Sequence, residues 1–202
     1  MQITPTQVAP RSMREGPQRP PEQVVDHWLE GVRRSPSPWF NERPAGQAIS
    51  LLVVHNISLP PYCFGGGHIE ALFQGRLKPD DHPYFAKVAG LQVSAHLLIR
   101  RTGELVQFVP FDKRAWHAGR SVFQGQVECN DYAIGIELEG VDDQPFTTIQ
   151  YQQLAAVAKV LMQAYPQINA DRMTGHSDIA PGRKTDPGPA FNWAYFRQLL
   201  AY

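Results

Sequence analysis

The centre of the predicted fold is the segment Ile49-Ser50-Leu51-Leu52-Val53-Val54, a nearly unbroken run of leucine and β-branched side chains. A run of this length and composition is typical of a strand that is covered on both faces. It leads directly into His55 and Asn56. The sequence therefore predicts a buried strand that ends at two polar residues, where the chain leaves the sheet and side chains can face a cleft.

Further strands are predicted on the C-terminal side of this run. Residues 95–100 and 105–109 have strand composition and are joined by a short connection that contains glycine, which favours a hairpin. Residues 133–139 alternate in polarity, so Glu137 and Glu139 are expected on one face and the apolar side chains on the other. Two carboxylates are thus predicted to share a sheet face.

Helices are predicted on either side of these strands. Thr147 and Gln150 form a capping-box pattern, and apolar residues then recur at helical spacing until Pro166. Helical spacing also predicts short helices within residues 22–32 and 193–200. The order of elements predicts an α/β (α+β) fold, a single domain with a central mixed β-sheet flanked by α-helices.

Composition sets the domain boundary and the class of partner. Eight of the 18 prolines precede residue 47, which predicts a disordered, proline-rich tail at residues 1–21 and a domain at residues 22–202. The 19 basic and 19 acidic residues cancel, so neither nucleic acid nor a membrane surface is expected as a partner. No apolar stretch approaches the roughly 20 residues of a membrane span, and the first residues lack the features of a secretory signal. We expect a cytoplasmic protein.

Histidine and acidic residues suggest a metal site. The chain has seven histidines and only two cysteines, Cys63 and Cys129, which we expect to be ordinary thiols, although they could pair. A loop at residues 174–189 concentrates His176 and Asp186 among glycines and prolines. Together with His55 these residues could form the three-ligand set of a hydrolytic zinc site.

The pattern alone leaves the metal assignment open. His55, His176 and Asp186 come from distant segments, and sequence spacing does not show that they converge. A single histidine at a strand end more often makes a local hydrogen bond than binds a metal, and the same interpretation applies to His96 and His117.

Six motifs together resemble one family. The motifs are Leu52-Val53-Val54-His55-Asn56-Ile57-Ser58-Leu59-Pro60-Pro61, His82-Pro83-Tyr84-Phe85, Val93-Ser94-Ala95-His96, Arg114-Ala115-Trp116-His117-Ala118-Gly119, Gly135-Ile136-Glu137-Leu138-Glu139-Gly140 and the segment from Gly175-His176 through Gly188. They occur in order between about Trp28 and Leu200, and with them the chain resembles the AmpD-type N-acetyl-anhydromuramyl-L-alanine amidases of Gram-negative bacteria.

The resemblance implies a zinc amidase with the fold shared by phage amidases and peptidoglycan recognition proteins. It implies that His55, His176 and Asp186 bind zinc, that Glu137 is the catalytic acid and base, and that Lys184 is the lysine near the metal. Two alternatives stay open. In the first, the catalytic carboxylate is Glu139, which lies on the same predicted face as Glu137. In the second, Lys184 is a structural cation that holds the carboxylates of its loop.

The resemblance also implies a substrate. The bond cut in this family joins the lactyl carbonyl of 1,6-anhydro-N-acetylmuramic acid to the L-alanine of the stem peptide, a step of peptidoglycan recycling. We expect Asn56, Trp116 and His117 to contact this small-molecule muropeptide, although Trp116 could equally be a core tryptophan, and we expect the protein to be a monomer. The glycine-dense segment 64–68 is expected to let the segment that follows it move over the cleft.

Two other functions are weighed against this one. The first is a module of the same fold that binds peptidoglycan fragments without cutting them, which loss of a metal ligand would indicate. The second is a secreted amidase that trims the intact wall, which would need an export signal. Because all three ligand positions are filled, the recycling amidase is the preferred prediction.

Overall fold

A six-stranded mixed sheet forms the centre of the computed structural model, which describes residues 18–201. The strands are β1 (Val24–Val25), β2 (Trp28–Leu29), β3 (Arg33–Arg34), β4 (Phe40–Glu42), β5 (Leu51–Ile57), β6 (Leu97–Ile99), β7 (Leu105–Gln107), β8 (Lys113–Ala115), β9 (Val122–Phe123), β10 (Gln126–Val127), β11 (Ala133–Glu139) and β12 (Met173–Gly175). The helices are α1 (His68–Phe73), α2 (Thr148–Ala164), α3 (His176–Ile179) and α4 (Trp193–Ala201).

The central sheet has the strand order β12-β5-β11-β6-β7-β3. Strands β12, β5, β11 and β6 run parallel, β7 is antiparallel to β6, and β3 is parallel to β7. The long pair β5–β11 lies in the middle, with Glu137 directly opposite His55. The predicted fold class, a mixed sheet flanked by helices, is confirmed.

The two faces of the sheet have different roles. On one face, Ile134, Ile136 and Leu138 of β11 pack with the apolar side of α2 and with Phe196 of α4. The opposite face carries Gly135, Glu137 and Glu139, because successive residues of a strand point to opposite sides. The predicted alternation is therefore confirmed, and the carboxylates lie on the face away from α2.

Strand β5 extends further than predicted. We expected the chain to leave the sheet at His55, but parallel pairing with β11 continues to Ile57 opposite Glu139. His55 is therefore part of the strand, with a side chain that is 1% exposed. On the other side of β5, pairing with β12 ends one residue earlier, at Val54.

The predicted helix within residues 22–32 is wrong. The segment forms a hairpin of β1 and β2, with Val25 paired to Trp28 and a two-residue turn at Asp26 and His27. Both turn residues have positive φ, 49° and 65°, which is the geometry of a tight hairpin turn and is incompatible with a right-handed helix. The apolar spacing that predicts a helix is also compatible with the pairing of β1 and β2. The turn at Asp26 and His27 decides in favour of the hairpin.

The two C-terminal helices are confirmed. Thr147 caps α2 and forms the predicted capping box with Gln150. The Gln150 side chain is buried and donates to the carbonyl oxygens of Ile99 and Glu139 at 3.1 and 2.9 Å, which attaches the first turn of α2 to strands β6 and β11.

The division into a tail at residues 1–21 and a domain at residues 22–202 stays a prediction. Residues 1–17 lie outside the described part of the chain. Gln18 already contacts the domain, because its side-chain oxygen accepts a hydrogen bond from the backbone of Leu105 at 2.7 Å and its carbonyl oxygen accepts one from Gln153 at 2.5 Å. Between residues 18 and 201, none of the helices has the length and apolar character needed to cross a bilayer.

Candidate metal centre

Three donor atoms from distant parts of the chain meet beside the sheet. His55 Nδ1 lies 3.0 Å from His176 Nδ1 and 2.9 Å from Asp186 Oδ2. His176 Nδ1 and Asp186 Oδ2 are 3.0 Å apart. The structure thus brings the three predicted ligands into a nearly equilateral triangle, in an arrangement that could hold a metal ion.

The parallel strands explain why the two histidines meet. His55 lies near the carboxyl end of β5, and His176 follows β12 as the first residue of α3. Since β12 and β5 are parallel neighbours, their carboxyl ends lie at the same edge of the sheet. The loop that carries Asp186 is attached to the same place, because Ser177 donates its backbone N–H to the Asp186 carbonyl oxygen at 2.9 Å.

The electrostatics of the triangle favour a cation. Burial lowers the pKa of His55 to about 4, against the opposing effect of Asp186, so this imidazole is neutral at pH 7. Burial would raise the pKa of Asp186, but hydrogen bonds from His176 and His55 outweigh it and keep that pKa below its usual value. A neutral imidazole and an ionised carboxylate are the forms that ligate metals.

The spacing and the donor types also fit a divalent metal. Zinc binds imidazole nitrogen and carboxylate oxygen at 2.0–2.2 Å, so tetrahedral geometry puts neighbouring donor atoms about 3.3 Å apart. The observed separations of 2.9–3.0 Å are close to this value. Three protein donors leave one tetrahedral position for water or substrate, as in hydrolytic zinc sites.

Glu137 lies next to this triangle and has an unusual environment. It faces the same side of the sheet as His55 and is opposite it in register. Its Oε2 atom is buried and has no hydrogen-bond partner among residues 18–201. Burial raises the pKa of Glu137 well above its usual value, the charge of Asp186 adds to this, and the charge of Lys184 opposes it. An unpartnered buried carboxyl group of this kind is typical of a group that exchanges protons.

Glu139 has a different environment, although it shares the face of Glu137. Its carboxylate oxygens accept hydrogen bonds from the backbone N–H groups of Gly65 at 2.5 Å and Arg101 at 3.1 Å. Both oxygens are therefore used to hold two loops against the sheet. One of these contacts holds the glycine-dense segment 64–68 at Gly65, and the movement of the segment that follows it stays a prediction.

Lys184 lies on the loop that carries Asp186, with an exposed side chain. Burial has the largest influence on the pKa values of His55 and Glu137, and the positive charge of Lys184 lowers both. Its ammonium group makes no ion pair with the carboxylates of residues 18–201. For the alternative role, a structural cation that holds the carboxylates of its loop, Lys184 therefore has no carboxylate partner among these residues.

Asn56 holds the surroundings of the site together. Its side-chain amide donates to Asp142 Oδ1 at 2.7 Å and to the Pro187 carbonyl oxygen at 3.1 Å. These two hydrogen bonds connect the loop after β11 to the residue that follows Asp186. Since both amide protons are used, only the Asn56 side-chain oxygen is left for substrate, and that contact stays a prediction.

Trp116 and His117 are placed differently from each other. Trp116 is half-buried, stacks on Trp39 with ring centroids 6.3 Å apart and donates its indole N–H to Asn41 Oδ1 at 2.7 Å. His117 lies against the candidate metal site, with its Nδ1 atom 3.0 Å from His55 Nε2. Substrate contacts by these two side chains stay predictions.

Two residues near the site were missed by the sequence reasoning. Gly135 leaves room for the His117 ring, because a Cβ atom at this position would lie 2.4 Å from the His117 Cγ atom. An isolated glycine inside a strand pattern was the available signal for such a close approach. Asn130 accepts hydrogen bonds from the backbone of His117 and Ala118, and no local pattern marked it.

Comparison with known proteins identifies related sequences. The family model described as N-acetylmuramoyl-L-alanine amidase matches residues 45–189. Over 174 residues the chain is 63% identical to the 1,6-anhydro-N-acetylmuramyl-L-alanine amidase AmpD of Escherichia coli strain K12, and the match covers 86% of this chain and 94% of that protein.

Solved structures show the same relationship. A crystal structure of a selenomethionine AmpD derivative has a TM-score of 0.86 and 60% identity, covering 89% of this chain and 99% of that one. The amidase AmiD from E. coli, in complex with its substrate anhydro-N-acetylmuramic acid-L-Ala-D-γ-Glu-L-Lys, has a TM-score of 0.56 and 31% identity, covering 78% of this chain and 60% of that one.

Proposed function

The chain belongs to the N-acetylmuramoyl-L-alanine amidase family, and on this premise we propose that it uses a zinc ion bound by His55, His176 and Asp186. The enzyme hydrolyses the amide bond between 1,6-anhydro-N-acetylmuramic acid and the L-alanine of a stem peptide, as its E. coli relative is named for doing. The observation that carries the zinc proposal is the triangle of two imidazole nitrogens and one carboxylate oxygen, 2.9–3.0 Å apart.

The cofactor and the neighbouring carboxyl group have separate tasks. Zinc, when bound, supplies a Lewis acid that polarises the amide carbonyl and makes water nucleophilic at neutral pH. Glu137 would accept the proton of the attacking water at its free Oε2 atom and deliver it to the nitrogen of the leaving L-alanine. The positive charge of the cofactor favours the carboxylate form of Glu137 that this first transfer needs.

Lys184 would stabilise the negative charge that develops on the carbonyl oxygen. Its ammonium group is exposed, lies near enough to influence both His55 and Glu137, and is free of ion pairs with carboxylates of the described residues. A donor placed at a developing oxyanion contributes to kcat, because it interacts more strongly with the transition state than with the substrate.

The substrate is proposed to be a free muropeptide and the compartment the cytoplasm. The substrate named for AmiD, an anhydromuramyl peptide, supports the first proposal. The two cysteines, one exposed and one buried, are unpaired, as is usual in a reducing compartment. We propose that Asn56, Trp116 and His117 border the bound substrate and that the enzyme acts as a monomer.

Removal of metal tests the proposed cofactor. We expect the purified enzyme to contain about one zinc per chain, to lose hydrolysis after dialysis against a chelator, and to regain it when zinc is added back. The measurement is metal analysis together with mass spectrometry of an anhydromuropeptide digest, which separates released peptide from anhydro-sugar. Full hydrolysis by metal-free protein would contradict the proposal.

Replacement of Lys184 by methionine tests the oxyanion role. We expect Lys184→Met to lower kcat by about 100-fold while KM and zinc content change little, because the interaction acts mainly in the transition state. Lys159→Met is the matched control, since Lys159 lies on α2, on the opposite face of the sheet. A variant that keeps kcat but unfolds at a lower temperature would show instead that Lys184 is a structural cation.

A further inference from the structure

One dipeptide, His117-Ala118, contacts both histidines of the proposed metal site at the ring nitrogen that points away from the triangle. His117 Nδ1 lies 3.0 Å from the Nε2 atom of His55. The carbonyl oxygen of Ala118 lies 3.0 Å from the Nε2 atom of His176. A single short segment therefore contacts the remote ring nitrogen of each ligand, once through a side chain and once through the backbone.

These contacts determine where the imidazole protons lie. The Nδ1 atoms of His55 and His176 face the triangle, so with a metal bound each would present a lone pair there and carry its proton on Nε2. His176 then donates its Nε2–H to the Ala118 carbonyl oxygen, which only accepts. His55 would then donate its Nε2–H to His117 Nδ1, and the proton of His117 would lie on its Nε2 atom, which is buried and has no hydrogen-bond partner among residues 18–201.

The supporting dipeptide is itself held firmly. The side-chain oxygen of Asn130 accepts hydrogen bonds from the backbone N–H groups of His117 at 3.2 Å and Ala118 at 2.8 Å. Asn130 is buried, and its own carbonyl oxygen accepts a hydrogen bond from Arg43 at 3.1 Å. The N–H of Trp116, one residue earlier, donates to Ser94 Oγ at 3.0 Å. Three successive backbone donors therefore have fixed partners.

The sheet provides the space for the His117 ring. A Cβ atom at Gly135 would lie 2.4–2.7 Å from three atoms of that ring, which is closer than carbon atoms can approach. Glycine is therefore required at this position of β11 if the ring is to reach His55. The ring is confined between the strand that carries Glu137 and the ligand that it supports.

We propose that His117 is a positioning residue of the metal site: it accepts the Nε2 proton of His55 and so holds the lone pair of His55 Nδ1 toward the ion. The inference rests on the proposed metal site. It goes beyond the expected contact with substrate, because it states that His117 raises the metal affinity of the protein even when no substrate is bound. Partners of this kind commonly change metal affinity by 10–100-fold when they are removed.

The test is zinc affinity, measured by competition with a chromophoric chelator in the full-length, folded protein. His117→Asn places an acceptor oxygen where Nδ1 was, so its affinity should stay within a few-fold of the unmodified enzyme. His117→Gln moves the acceptor away and His117→Phe removes it while keeping a ring, so both should bind zinc 10–100-fold more weakly. Should His117→Phe fail to fold, the comparison of the asparagine and glutamine variants decides.

His27→Asn is the matched control, because His27 contacts Tyr165 beside α2, on the face of the sheet away from the metal site. It should bind zinc as tightly as the unmodified enzyme. Equal affinity of His117→Gln and His117→Asn would overturn the inference, whether both are strong or both are weak. Failure of the unmodified enzyme itself to bind zinc would instead refute the proposed cofactor, so the two failures are distinguishable.

Discussion

Replacement of Asp186 by alanine is expected to remove both the bound metal and the hydrolysis of anhydromuropeptide. Asp186 supplies the single anionic donor of the triangle, and its Oδ2 atom is 2.9–3.0 Å from both imidazole nitrogens. Loss of an anionic ligand should weaken zinc binding by more than the 10–100-fold typical of outer partners. Zinc analysis of the dialysed variant and its rate of peptide release measure the two effects.

Asp186→Asn distinguishes charge from shape at this position. It keeps the size of the side chain but removes the charge, so it should also bind zinc weakly. Asp178→Asn is the control in the neighbouring helix α3, because Asp178 accepts hydrogen bonds from Thr174 and Gly175 and lies outside the triangle. Zinc retained at one equivalent by Asp186→Ala would disprove the assignment of this ligand.

Replacement of Glu137 by glutamine is expected to separate metal binding from turnover. The variant keeps the three ligands and should retain zinc, but it cannot accept the proton of the attacking water. General acid–base catalysis contributes about 10²–10⁴-fold, so kcat should fall by about 1,000-fold. Steady-state kinetics on anhydromuropeptide, with zinc content determined on the same sample, give both quantities.

Glu139→Gln is the decisive control, because the two glutamates share one sheet face. Glu139 accepts from the backbone of Gly65 and Arg101, so its replacement should lower the melting temperature and leave kcat within a few-fold. If Glu139→Gln abolished turnover and Glu137→Gln did not, the roles proposed here for the two carboxylates would have to be exchanged.

Local patterns were sufficient for some elements of the fold. The alternation at residues 133–139 correctly predicted which side chains of β11 meet the core, because a strand has a fixed period of two. The capping box at Thr147 correctly predicted the start of α2, because its hydrogen bonds connect residues three positions apart. Both signals depend only on neighbouring residues.

Local patterns misled where a turn decided the structure. Residues 22–32 have apolar side chains at helical spacing, yet Asp26 and His27 adopt the left-handed conformation that closes a hairpin. Similarly, the end of β5 depends on how far its partner β11 continues, and no residue of β5 itself encodes this.

The candidate metal centre shows the same limit for contacts between distant residues. His55 is 121 residues from His176 and 131 residues from Asp186, so only the fold brings them together. Residue types and family resemblance indicated the candidates. The role of Asn130 could not be inferred in this way, because it acts through the backbone of residues 117 and 118 and not through a recognisable motif.

The two histidines lie at the carboxyl ends of neighbouring parallel strands, His55 within β5 and His176 directly after β12, and this placement has a consequence for the metal-free protein. Strands β5 and β12 are held by their own backbone pairing and by buried apolar side chains, none of which needs an ion. The protein should therefore stay folded, although inactive, when the metal is removed. Activity would then return when the metal is supplied again, without synthesis of new protein.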